Sequence, residues 1–354
     1  MCSRSTPAPA STSPASRSDR GRRGLCVVNE WRPAAPLSAL RARAEMLEGL
    51  RAFFRERGVL EVETPVLSAA ALTDPAIESL STLYRGPGGP ADGRLWLHTS
   101  PEFPMKRLLA AGSGPIFQVC RVFRDGEAGR RHNPEFSLLE WYRPGLSMEA
   151  LMAEVEALVR ALLAPYRDPG PARRLSWRQA FLDHAGIDPF AADESMLRRR
   201  AAALGVAAPE RLSGRDPWLD LLLTAVVEPG LAKEGLVFLY HYPPSQAALA
   251  RLVRDAEGRR VAERFEAYLD GLELANGFHE LADAAEQRRR FEAEQARRRA
   301  SGQEVPPLDE RLLAALEAGL PDCCGVALGL DRLLMAALGA ECIEQVLAFP
   351  IDRA

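Results

Sequence analysis

Between Glu263 and Glu280 two runs of alternating character flank Asp270-Gly271. Asp-Gly in that setting is a strong type I′ hairpin signal, so this stretch is expected to form two antiparallel strands. With those residues as the turn, Leu269 faces Leu272 and Tyr268 faces Glu273. Glu266 then lies diagonally from Glu273 on the same face, with backbones roughly 7–8 Å apart. Two carboxylates held that way repel unless a cation such as Mg²⁺ sits between them and, through it, nucleotide phosphates. The alternative is that both point into solvent. Asn276 and Glu280 follow where the chain leaves the hairpin.

A second unit, Phe117–Arg143, reads as strand, arginine-bearing loop and strand. On its second strand a period of two puts Phe136, Leu138, Glu140 and Tyr142 on one face. A carboxylate and a phenol beside an aromatic ring suit a cationic ligand next to a flat one. The first strand delivers Arg124 to the loop mouth, where a guanidinium can fork onto a phosphate. An ordinary surface hairpin with a salt bridge is the competing reading. A third stretch, Gly325–Met335, alternates small residues that let a backbone approach a ligand, and Arg332 opens the following helix where dipole and guanidinium both favour phosphate.

Around these units the periodicity assigns the rest. Leu40, Leu47, Leu50 and Phe54 give one apolar helical face from an N-cap at Ser38 to about Arg57, followed by a strand over 59–63. Residues 95–145 are strand-rich, 147–164 helical, 176–235 a mostly helical insertion (a helical block of about 147–235 in all), and 236–282 strands again. A charged helix follows at about 283–300, a helix from Asp309, and a strand and helix over 325–338. Strands beside strands, with helices gathered in blocks, predict an α+β fold built on an antiparallel sheet flanked by helices. Residues 1–36 are Ser, Pro, Ala and Arg without hydrophobic period, so they are expected to be a disordered extension or to reflect a start codon assigned too early. The catalytic domain is expected over 37–354.

Composition narrows the function. A chain of 354 residues, 47% of them hydrophobic, can bury one large core or two ordinary ones. No apolar run approaches the roughly 18 residues that cross a bilayer, and the N-terminus has no apolar h-region. Six cysteines without a CxxC spacing read as reduced thiols in a cytoplasmic enzyme. A net charge of −3 counts against a wide grip on tRNA.

The three stretches, in this order, resemble the signature motifs of class II aminoacyl-tRNA synthetases, and within that class the lysyl type. Glu-Leu-Ala-Asn-Gly-Phe-His-Glu-Leu-x-Asp-Ala, with Gln287 and Phe291 beyond it, is similar to the lysyl enzymes' final catalytic stretch. Gly58–Pro65 resembles the first class motif, whose proline sits at a dimer interface, and Thr99-Ser100-Pro101-Glu102 resembles the amino-acid-binding segment. Ahead of the first motif only about 37 disordered-looking residues precede the helix that leads into it, expected to be too few for the anticodon-binding barrel of a full lysyl enzyme. With Glu-Trp-Tyr-Arg-Pro, this architecture is similar to the elongation factor P–(R)-β-lysine ligase family, which attaches β-lysine to a lysine side chain of elongation factor P.

That resemblance implies a set of roles. Arg124 would contact the α-phosphate and substrate carboxylate, Phe136 would stack on adenine, and His132 and Asn133 would shape the ATP loop. Arg332 would hold the γ-phosphate end, and Asp125, Gly126, Leu274 and Gly329 would belong to the same ATP site. Glu266 and Glu273 would bind Mg²⁺. Ser100, Pro101, Asn276 and Ala327 would line the amino-acid site, Glu102 would read the amine near the reacting carboxylate, and Glu140, Tyr142 and Glu280 the distal ammonium. The implied activity is formation of an adenylate from (R)-β-lysine or lysine and its transfer to elongation factor P, by a homodimer, without anticodon-dependent tRNA binding and without a membrane. Charging of a tRNA-like acceptor and a non-catalytic binding module are the rival readings.

Two positions depart from the lysyl pattern. Ala327 fills the second glycine position of Gly-x-Gly-x-Gly-x-Asp-Arg, adding a methyl beside the reacting end. Gly126 stands where Phe-Arg-Asn-Glu-Glu has its first glutamate, so Glu127 is the residue expected to reach in. The arginine-rich run near 288–299 reads either as a docking face for an acidic protein or as a salt-bridged helix face.

Overall fold

The computed structural model describes residues 31–210 and 212–354. The chain divides into Met1–Arg32 and Pro33–Ala354. The disorder expected over residues 1–30 lies outside the described residues, and the second unit holds the fold. Its order begins earlier than expected. The Ala34 and Ala35 amides donate to the carbonyls of Ala348 and Leu347 at 2.8 and 3.1 Å, and Ala35 is buried. A tertiary partner near the other end of the chain supplies those bonds, and no local pattern announces it.

Nine strands form the main sheet: β1 (Leu60–Glu61), β2 (Ile116–Phe123), β3 (Glu135–Pro144), β4 (Arg173–Ser176), β5 (Leu236–Tyr242), β6 (Leu252–Arg254), β7 (Arg260–Leu269), β8 (Leu272–His279) and β9 (Cys323–Gly329). Their order is β1-β2-β3-β9-β8-β7-β5-β4, with β6 also paired to β7. The sheet is antiparallel as expected except at its two ends, where β1 runs parallel to β2 and β4 parallel to β5. A separate three-stranded sheet comprises Leu67–Ser68, Ser81–Leu83 and Arg94–Leu97.

Six helices matter to the site: α1 (Leu37–Glu56), α2 (Glu102–Ala110), α3 (Met148–Leu163), α4 (Ala284–Ser301), α5 (Glu310–Gly319) and α6 (Leu330–Leu338). The N-cap of α1 is Pro36 without a side-chain bond; Ser38 lies inside the helix. One face of the sheet is packed by α1, α3 and α6. Leu139 and Trp141 of β3, Ala267 of β7 and Val326 of β9 point there, and Phe54 of α1 stacks on Phe117 at 4.5 Å. The helical insertion, from Trp177 to Leu231, builds its own cluster around Trp177, Phe181 and Leu222 and packs it on Leu239, Tyr242 and Tyr268. A π turn at Leu223–Val227 leads directly into Glu228. A third cluster joins Met105 and Leu109 of α2, Phe291 of α4 and Leu312 of α5.

The start of α6 is fixed by charge. Asp331, 1% exposed, accepts from the Ser137 amide at 2.7 Å and pairs with Arg43 of α1, which also donates to the Val346 carbonyl at 2.9 Å. Arg43→Ala strands that carboxylate, so the variant is expected to lose about 3 kcal/mol of unfolding free energy. Urea denaturation should show a lower midpoint with an unchanged m value.

Candidate active site

β9 lies at the centre of the site face. It is flanked by β3, with Gly325 opposite Tyr142 and Ala327 opposite Glu140, and by β8, with Ala327 opposite Asn276 and Gly325 opposite Phe278. Large side chains on both flanks and small ones between them leave a floor on which a ligand can lie. The cavity above it measures about 450 Å³. The face expected on β3 is the observed one: Phe136, Leu138, Glu140 and Tyr142 all line it.

The turn expected at Asp270-Gly271 is also present, with Leu269 opposite Leu272 and Tyr268 opposite Glu273. Beyond it the register slips by one residue, so Ala267 pairs with Ala275 and Glu266 with Asn276. This bulge changes which side chains share a face. Leu274 packs in the core at the edge of the cavity, while Asn276, Phe278 and Glu280 come to the cavity side with Glu273. Asn276 is therefore mid-strand and Glu280 follows directly after it.

At one end of the cavity the polar groups are tightly linked. Ser100 Oγ donates to Glu140 Oε2 at 2.6 Å and accepts from the Glu102 amide at 3.0 Å, and Tyr142 OH donates to Glu140 Oε1 at 2.6 Å. Burial pushes the Glu140 carboxyl up to about 7, and the negative Glu102 adds to it. Burial likewise pushes Glu280 up to about 8, against the pull of Lys106. Such carboxylates favour an incoming cation, which removes the cost of their own ionisation.

At the other end stand Arg124, His132 and Arg332. The Arg124 guanidinium lies 5.1 Å from the Phe136 ring centre and 3.5 Å from Glu127. Arg332 donates to the Glu273 carbonyl at 3.0 Å, pairs with its carboxylate at 3.1 Å, and reaches His132 Nε2 at 2.6 Å. Because an arginine only donates, Nε2 must be the acceptor. Burial and the nearby Arg332 lower the His132 pKa, which keeps the ring neutral. Asn133 donates to the Glu135 carbonyl at 2.6 Å and accepts from the Ile351 amide at 3.0 Å, tying the loop to the chain's last residues.

Four expected site residues do not line the cavity: Pro101, Asp125, Gly126 and Glu266. Pro101 caps α2 and turns its neighbours Ser100 and Glu102 inward. The Asp125 amide donates to the Glu78 carbonyl at 2.9 Å, and Gly126 has φ of +74°, a left-handed conformation that a glutamate adopts only with strain. Glu127 lines the cavity, as expected from that departure. Glu266 lies behind the wall, with Arg264 on one carboxylate oxygen and the Tyr268 hydroxyl on the other at 2.5 Å. Ser100, Glu102, Leu274 and Gly329 line the cavity.

Residues 29–353 match the family of class II tRNA synthetases (D, K and N). The chain belongs to that family. Its curated relatives include the proteins named elongation factor P–(R)-beta-lysine ligase of Salmonella typhi, Edwardsiella ictaluri (strain 93-146) and Klebsiella pneumoniae (strain 342). Each is 52% identical over 325 residues, covering 92% of this chain and 98% of the relative.

Sequence reasoning missed two cations of this synthetase-family site. Arg264 lines the cavity and donates to Asn276 Oδ1 at 3.2 Å; its place two residues before Glu266 on an alternating strand was the available signal. Lys106 is buried between Glu102 and Glu280, and its signal was a position one helical turn after Glu102. The arginine run of α4 is a braced face. Arg288 pairs with Glu310, Arg289 and Arg290 with Glu286, and Arg298, 1% exposed, donates to the carbonyls of Thr73, Asp74 and Ile77 at 2.6–3.0 Å. That grip holds a loop whose Asp74 and Ile77 form one cavity wall.

A Cβ at Gly325 would collide with the Tyr142 ring and lie 2.5 Å from Glu280 Oε1. Gly325→Ala is expected to displace both side chains and to cost about 1–3 kcal/mol by overpacking. Chemical denaturation reads the cost.

Proposed function

We propose that this chain activates a lysine-type diamino acid, (R)-β-lysine or lysine, with ATP and transfers it to a lysine side chain of elongation factor P. One observation carries the reading. Glu140, Tyr142 and Glu280 converge on one end of a cavity whose other end carries Arg124 and Arg332, so an ammonium and a phosphate are recognised at opposite ends. The 52%-identical relatives are named for elongation factor P and (R)-β-lysine, which supports the acceptor and the substrate.

In this mechanism Glu140, Tyr142 and Glu280 hold the distal ammonium and Glu102 the amine nearer the reacting carboxylate. Phe136 offers a flat face to adenine. The substrate carboxylate attacks the α-phosphate of ATP, the bond to the β-phosphate breaks, and pyrophosphate leaves. Arg124 stabilises the charge that develops at the α-phosphate, and Arg332, oriented by His132, holds the departing phosphates. The neutral amine of the acceptor lysine then attacks the acyl carbon, the acyl–phosphate bond breaks, AMP leaves, and the amine's surplus proton passes to water.

Mg²⁺ suits a hard oxygen donor such as the cavity-lining carboxylate of Glu273, and Glu266 would join it only by releasing Arg264 and the Tyr268 hydroxyl. Burial, with the charges of Glu266 and Glu273, pushes Glu228 up to about 7, a repulsion that a divalent cation between the glutamates would relieve. Bound there, Mg²⁺ would neutralise phosphate charge. Among the described residues no helix is long and apolar enough to cross a membrane. Work in the cytoplasm, a homodimer and independence from the tRNA anticodon belong to the same proposal; exposed Leu60 at the sheet edge suits the homodimer.

ATP–pyrophosphate exchange with α-lysine, (R)-β-lysine and (S)-β-lysine tests the reading. Strong exchange with (R)-β-lysine is the expected result, and none with any of the three overturns it. The pH profile has a defined sign. Glu140 and Glu280, raised to about 7 and about 8, are neutral below those values and cannot pair with ammonium. The kcat/KM for the amino acid should therefore fall as pH drops through about 8 and again through about 7, while the KM for ATP changes little.

Ala327 lies between Glu140 and Asn276 in the sheet, where its methyl narrows the floor beside the reacting end. Ala327→Gly should shift preference from β-lysine toward α-lysine. Exchange rates with the two isomers check this, and an unchanged ratio would sink it.

A further inference from the structure

Lys106 is one of two lysines in the chain, and it occupies a place where an unpaired lysine would be very costly. Its side chain is 2% exposed, and Nζ pairs with Glu102 Oε1 at 2.5 Å and Glu280 Oε2 at 2.6 Å. Lys106 does not line the cavity, but both carboxylates it holds do, and Glu140 lines it beside them. Once a bound cation holds Glu102, Glu140 and Glu280 ionised, three carboxylates against one ammonium leave this end of the cavity with two net negative charges for the substrate to balance. A diamino acid brings two ammonium groups.

We infer that Lys106 is a specificity-determining positioning residue: it cancels one of three carboxylate charges and fixes Glu102 and Glu280, so that the cavity is matched to a substrate with two ammonium groups. The inference rests on the diamino-acid substrate proposed above. A substrate with a single ammonium would leave one buried negative charge uncompensated, and one with three would leave a positive charge so; either mismatch is penalised in a site shielded from water. Without Lys106, Glu102 and Glu280 would repel, and one would turn away or take up a proton. Burial by itself would strip the proton from Lys106; the two carboxylates outweigh it and hold the ammonium pKa above its ordinary value. The resident charge is therefore permanent across the working pH range.

The test is pyrophosphate exchange by the full-length chain with the best diamino acid and its analogue lacking the distal amine. Lys106→Met should raise the KM for the diamino acid at least about 30-fold, keep the KM for ATP within about threefold, and lower preference over the monoamino analogue by a similar factor. Lys106→Ala should behave likewise, and propylammonium, which replaces the missing chain and charge, should restore activity where tetramethylammonium, lacking N–H, does not. An unchanged amino-acid KM, a parallel rise in both KM values, or absence of rescue would overturn the inference. If the neutral variants fail to fold, Lys106→Arg decides: it must keep the amino-acid KM within about tenfold. Wild-type protein that exchanges with no diamino acid overturns the functional reading and this inference with it; wild-type exchange with unaffected Lys106 variants overturns this inference alone.

Discussion

A single extra residue in the β7–β8 hairpin governs the chemistry of the site. Strand side chains alternate between faces, so an unbroken ladder would put Ala275, Gly277 and His279 on the same side as Glu273. The slip between Ala267 and Tyr268 reverses that parity after Leu274. Asn276, Phe278 and Glu280 then join Glu273 at the cavity, while Leu274 and Ala275 complete the core with Phe265 and Leu328. Core and site are thus two outcomes of one register. The hydrophobic face that anchors the sheet on α1, α3 and α6 also holds the bulge in place.

Upon that frame the cavity separates charge by distance along the sheet. Arginines gather at the end where the β2–β3 loop meets α6, and carboxylates at the end where α2 meets the end of β8. Neither group could be buried alone. Arg332 is balanced by Glu273, Arg264 by Glu266, and Glu280 by Lys106. What remains uncompensated is what a zwitterionic ligand with extra ammonium charge would supply. The walls are held at a distance from the chemistry: Arg298 grips the loop at 73–78, and Arg290 donates to the carbonyls of Ala248 and Ala250 at 2.8 Å.

Much of this was legible in one dimension because the relevant periods are short. Alternation along β3 gave the face carrying Phe136, Glu140 and Tyr142, and Asp270-Gly271 gave the turn. Small residues at Gly325, Ala327 and Gly329 marked a floor. Reading failed where a partner lies far off in the chain. Residues 34–35 read as part of a disordered tail because their hydrogen-bond partners are at 347–348. Asp125 and Gly126 read as ligand contacts because a motif names positions and not φ angles; the positive φ of Gly126 turns the loop so that Glu127 faces inward. The α4 arginines read equally as docking surface or salt-bridged face until their acceptors could be seen.

The sequence by itself determined most element types (though not the strand Arg173–Ser176 inside the expected helical block), the antiparallel core of the sheet, the family and most residues that face the cavity, since these follow from local alternation, turn chemistry and ordered motifs. Tertiary structure alone decided which charges are compensated. Register slip, burial and long-range pairing set the proton affinities of Glu140 and Glu280, withdraw Glu266 behind Arg264 and Tyr268, and place Lys106 between two glutamates. Electrostatic energy depends on distance and on exclusion of water, and neither quantity is written in the order of residues.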